Sequence, residues 1–74
     1  MSRFTLVGVD GNAYSVMGYT ANCMKQAGLR DKLEEMYDKA KSGDYYNLLA
    51  VCSEYVEMAN EALGLEDDDD EEDW

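Results

Sequence analysis

The chain has 74 residues, of which 46% are apolar and 31% charged, with 17 acidic groups against 6 basic ones and neither histidine nor proline. That length allows one domain, too apolar to be simply disordered and small enough that self-association is an open option. Without histidine the commonest general base and activator of nucleophiles is missing, and no carboxylate pair stands out from the acidic background, so the chain reads as a binding protein and not as an enzyme.

Arg3 to Val9 reads as a short strand, with Phe4 and Leu6 on one face and Thr5, Val7 and Val9 on the other. Asp10-Gly11-Asn12 follows as a turn, and two continuations compete. In one, Asn12 caps a helix from Ala13 to Ala27. In the other, Asp-Gly closes a hairpin and Ala13 to Met17 is a second strand. The helical spacing of Ala13, Val16, Met17, Thr20, Cys23, Met24 and Ala27 favours the helix. A lone strand needs a partner for its backbone groups, which keeps a homodimer paired through this segment as an alternative.

Gly28-Leu29 predicts a Schellman-type stop. A second helix is expected over Arg30 to Lys41, with Leu33, Met36, Tyr37 and Ala40 inward and Glu35 placed four residues before Lys39. Ser42-Gly43-Asp44 ends it and supplies Asp44 as the next N-cap. The third helix, Tyr45 to Leu63, carries the apolar stripe Leu48, Leu49, Cys52, Tyr55, Val56, Ala59 and Leu63, and Gly64-Leu65 repeats the glycine stop. The predicted fold is mainly α. It is a three-helix body over residues 1–65 with one short N-terminal β-strand, followed by a disordered acidic tail over residues 66–74.

Cys23 and Cys52 both fall on apolar helical faces and read as reduced core residues; two thiols alone do not close a structural zinc site, and no metal or cofactor is expected. Gly8, Gly11 and Gly18 lack the spacing of a phosphate-binding loop, and Gly18 is expected to let another element pack close. No apolar run is long enough to span a bilayer and no secretory signal is visible, so a cytoplasmic protein is expected.

Charge is unevenly placed. Residues 1–41 carry six basic and five acidic groups, whereas residues 42–74 carry twelve acidic groups and no Lys or Arg. The partner-binding candidates follow from that asymmetry. Asp44, Tyr46, Glu54, Glu57 and Glu61 come from the third helix and its cap; Glu66, Asp67, Asp68, Asp69, Asp70, Glu71, Glu72, Asp73 and Trp74 come from the tail. A rod with one sign of charge imitates DNA, which carries one charge per roughly 1.7 Å of axis. Such a surface should repel nucleic acid and anionic membrane and attract the basic nucleic-acid-binding surface of another protein. The last nine residues, eight carboxylates and a final aromatic, resemble the tails of bacterial and phage single-stranded-DNA-binding proteins, although the body lacks their basic, aromatic-rich barrel.

Val9-Asp10-Gly11-Asn12-Ala13, Met17-Gly18, Ser42-Gly43-Asp44-Tyr45 and Asn47-Leu48-Leu49 together resemble a group of small proteins encoded by bacteriophages and prophages, over roughly residues 4–52. The resemblance implies a bacterial host cell as the setting and assigns no site residues. The expected function is inhibition of a host nucleic-acid-binding protein, a defence nuclease or a CRISPR complex, by DNA mimicry. Two alternatives stand beside it. One is a dimeric regulatory module whose tail only recruits or solubilises; the other is a protein that sequesters a signalling nucleotide through Arg3, Lys25 and Arg30.

Overall fold

The computed structural model of the chain describes residues 3–65, and the element order is helical throughout: α1 Ala13–Gln26, a 3-10 turn Arg30–Lys32, α2 Leu33–Ala40 and α3 Tyr45–Leu63. Each boundary has a local cause. Asn12 takes extended backbone and its side-chain oxygen accepts from the N–H groups of Tyr14 and Ser15, which starts α1 in the helical register and removes the hairpin alternative. At the far end Gly28 adopts φ +79°, and Leu29 N–H reaches back to Met24 O at 2.8 Å, as a Schellman stop requires. Gly64 repeats this with φ +73° and a 2.7 Å bond from Leu65 N–H to Asn60 O. Gly43 works differently: a Cβ there would lie 3.0 Å from the Asn47 side chain, whose amide donates to Lys39 O at 2.9 Å and ties the end of α2 to the start of α3.

The second helix starts later than its pattern suggests. Arg30–Lys32 is wound as a 3-10 turn with no side-chain cap, so α2 proper has eight residues. Its Met36 and Ala40 are buried and its Leu33 and Tyr37 half-buried. In α3, Leu48, Val51, Cys52, Tyr55, Val56, Ala59 and Asn60 are buried, while Leu49 is only half-buried and Leu63 is exposed. Met36 and Ala40 of α2 and Leu48, Val51, Cys52 and Tyr55 of α3 form one core with Val16, Met17, Ala21 and Met24 of α1. Tyr45, the first residue of α3, donates its hydroxyl to Gly11 O just ahead of α1, so α1 and α3 begin at the same end of the bundle and run side by side. Both cysteines are free and buried in this core, and burial pushes both thiols up, away from the reactive thiolate. Gly18 faces solvent with nothing packed against it, contrary to the expectation of a close approach.

No strand forms among the described residues, and Arg3 to Val9 is the main departure from expectation. Its backbone finds side chains in place of a second strand. The buried Asn60 amide accepts Phe4 N–H at 2.7 Å and donates to Phe4 O at 2.9 Å, which is the pair of bonds a neighbouring strand would supply. Thr5 N–H donates to the Tyr19 hydroxyl at 3.1 Å. Beyond it the chain turns, with Val9 N–H on Leu6 O and Gly8 at φ +87°. The backbone bonds of Phe4 and Thr5 are thus made within one chain and not by a second strand.

Candidate binding face

The residues of α3 divide by helical period into the buried stripe and an outer stripe of Tyr46, Ala50, Ser53, Glu54, Glu57 and Glu61, all exposed. Asp44 stands just ahead of this stripe, and its carboxylate is committed to the helix, accepting Asn47 N–H at 2.9 Å. Tyr46 is 79% exposed, as a surface-facing tyrosine should be. From Glu54 to Glu61 the acids span about 10 Å at 1.5 Å rise per residue. The tail candidates Glu66, Asp67, Asp68, Asp69, Asp70, Glu71, Glu72, Asp73 and Trp74 lie outside the described residues.

The stripe is not uniformly negative. Glu57 forms an ion pair with the Arg3 guanidinium, brought across from the start of the chain by the Asn60–Phe4 bonds. Lys39 is held protonated chiefly by the neighbouring Tyr55 hydroxyl, then by Glu35, and least by Glu54. Behind the stripe sits a polar cluster between α2 and α3. The buried Tyr55 donates its hydroxyl to Glu35, and Lys39 lies 3.8 Å from the same carboxylate and 5.7 Å from the Tyr55 ring. The Tyr55 hydroxyl, helped by Lys39, holds the Glu35 carboxyl below the usual range, while burial and the facing carboxylate raise the Tyr55 phenol. This cluster fastens α2 to α3 with charge-assisted bonds.

A second surface lies where α1 and α3 begin. Ala13, Met17, Ala40 and Leu48 floor a cleft of about 440 Å³, with Tyr14, Lys41, Asp44 and Tyr45 at its rim. Tyr14 is 80% exposed, and Lys41 sits over the Tyr37 ring at 5.6 Å. The sequence pattern did not single out this cleft, because Tyr14 and Tyr45 carry no periodic signal of exposure. Asn60 was also missed, although a lone amide inside the apolar stripe, four residues after Val56, was the signal available.

None of the three cations of the nucleotide-sequestering alternative lines the Tyr14–Tyr45 cleft: Arg3 is on Glu57, Lys25 is in the last turn of α1, and Arg30 opens the 3-10 turn. Among the described residues no group of three or more Cys, Asp or Glu side chains is placed to hold a metal ion, and no helix is long and apolar enough to cross a membrane. Compared with known proteins, the chain matches no family model, no curated protein and no solved structure.

Proposed function

We propose that the chain is an acidic binding protein that occupies the basic nucleic-acid-binding surface of another protein and competes there with DNA or RNA. The observation that carries this reading is the solvent-facing stripe of α3 in a stretch, residues 42–74, that contains no Lys or Arg. Carboxylates held about 10 Å apart on a rigid helix keep their spacing without an ordering cost, which favours a surface already shaped for phosphates. In the setting implied by the phage resemblance, the partner is a host defence nuclease or a CRISPR complex in the bacterial cytoplasm. The tail, Glu66 to Trp74, adds eight carboxylates for long-range attraction and an aromatic anchor.

The test is displacement. A fluorescent DNA duplex is bound to a panel of basic bacterial nucleases and nucleic-acid-binding complexes, and the protein is titrated in at low and at high salt. For its target the protein releases the duplex, with an affinity that drops about tenfold or more as screening shortens the reach of its charges. Binding with the duplex still in place, or an affinity indifferent to salt, overturns the reading.

One observation favours a second reading, an interaction module that engages its partner through the Tyr14–Tyr45 cleft while the tail recruits or solubilises. An apolar floor rimmed by tyrosines is the composition of a protein-binding hot spot. Under that reading Tyr14→Ala abolishes binding and removal of residues 66–74 leaves it intact; charge competition gives the reverse.

A further inference from the structure

The start of the described chain lies on α3 in the manner of a bound peptide. One planar amide reaches both the N–H and the C=O of a single residue only where that residue is extended, and Asn60 does so on Phe4 at 2.7 and 2.9 Å. Three residues earlier on the same helix, Glu57 takes the Arg3 guanidinium. Beside them an open hollow of about 200 Å³ lies between Phe4, Leu6 and Val7 of the segment and Ser53 and Val56 of α3. Each contact reads a different property. The amide reads extended backbone of any sequence, the carboxylate reads a planar cation, and Val56 of α3 offers an apolar surface on the side of Phe4.

We propose that this groove is a recognition site for an extended segment of a partner protein carrying an arginine followed by a large apolar residue, and that residues 3–7 occupy it in the free chain. The inference rests on the reading that the acidic face of α3 meets a basic protein, and it names the feature of that protein which is read. The occupant seen in the structure supplies the template, and the charge of Glu57 supplies the complementarity. The segment is held by the polar contacts at Arg3 and Phe4 and by Leu6 packed against the core, and its Thr5 and Val7 are exposed, Val7 at 85%. Gly8, at φ +87°, provides the bend between residues 3–7 and Val9, and Leu6 and Val9 pack on the core on either side of it.

The experiment uses the full chain and a labelled peptide with the sequence of residues 3–9, alongside a scramble of equal charge in which Arg and Phe are separated. Anisotropy is read for the parent, for a variant with Arg3→Ser and Phe4→Ser, and for that variant with Asn60→Ala added. The double variant, its own segment weakened, binds the peptide about tenfold more tightly than the parent, and Asn60→Ala removes about that gain through two lost hydrogen bonds. The scramble binds weakly throughout. Equal binding by parent and double variant, or equal binding of peptide and scramble, overturns the proposal. Should Asn60→Ala lose its helical circular dichroism, Glu57→Gln on the exposed face decides in its place, and unchanged affinity there is equally fatal. A parent chain that dimerises, and stops doing so in the double variant, also overturns it by making a second copy the occupant. Peptide binding that passes these tests while the salt-dependent displacement of DNA fails leaves the groove standing and removes only the competition reading; the converse removes only the groove.

Discussion

The inner and outer faces of α3 are built on opposite rules. The inner face is a continuous apolar stripe in which Cys52, Tyr55 and Ala59 are almost fully enclosed; the outer face from Tyr46 to Glu61 is exposed and has little to bury. Stability therefore sits on one side of the helix and the proposed recognition on the other. They meet at Asn60, which is buried yet holds the segment that lies on the outer groove. The division makes a sharp claim about which substitutions unfold the protein and which only change what it binds.

Tyr55→Ala tests the inner face with the largest effect. Removing a buried aromatic ring costs about 3–5 kcal/mol, and a domain of this size has only about 5 kcal/mol of stability in total. The variant is expected to be largely unfolded at 37 °C, with a collapsed helical signal and no cooperative melt. A native-like melt would mean that the two faces differ less than the packing indicates. Asp44→Ala probes the point where a recognition candidate also has a structural task. Its carboxylate caps α3 at Asn47 N–H, so chemical denaturation should show a loss of about 1 kcal/mol. An unchanged midpoint would release Asp44 entirely to the outer face.

The Tyr55–Glu35 contact adds a pH dependence confined to the inner face. Glu35 is held below its ordinary value chiefly by the Tyr55 hydroxyl, so its contribution to stability is present above the usual carboxylate range and is lost as pH falls through its lowered value. Tyr55 is raised above 10.0, chiefly by burial, so its contribution holds below that value and is lost as pH climbs through the raised one. Melting curves of Glu35→Gln and the parent should differ near neutrality and converge in acid. A difference that persists at low pH would show that the carboxylate charge is not what the tyrosine recognises. Tyr55→Phe should cost about 1 kcal/mol near neutral pH and flatten the alkaline loss.

Much of this arrangement could be read from residue order. The three helices, the Asn12 and Asp44 caps and the Gly28 and Gly64 stops follow from local chemistry that acts within a few residues, and apart from the start of α2 the structure has them where the pattern puts them. The segment Arg3 to Val9 was misread for the complementary reason. Alternation describes a strand's side chains, whereas a strand's existence depends on what satisfies its backbone, and here the answer is an amide 56 residues away. The shortening of α2 to eight residues has a similar origin: Arg30 to Lys32 has helical composition but no capping side chain, and the tighter turn forms instead. For the candidate site, the period of the acids foretold the exposure of Glu54, Glu57 and Glu61. The partial neutralisation of the stripe by Arg3 needed the fold, because that cation is far from it in sequence.

The smallest stability effect is expected on the outer face, and it separates the faces most cleanly. Glu54→Gln with Glu61→Gln removes two charges from exposed positions that make no hydrogen bond to the core, so the midpoint of unfolding should move by less than about 0.5 kcal/mol. Relief of repulsion between like charges one to two turns apart would even raise it slightly. Under charge competition the same double variant weakens binding to a basic surface and lessens its dependence on salt, since fewer charges are brought to the partner. Glu57→Gln differs from both, because it also removes the ion pair with Arg3 and loosens the segment over the groove. Opposite responses from chemically identical substitutions on one stripe, weaker binding at Glu54 and Glu61 and a more mobile N-terminal segment at Glu57, are what the two-face arrangement requires. Amide exchange at Phe4 and Thr5 reads the difference directly: it should quicken in Glu57→Gln and stay at the parent rate in the other variant.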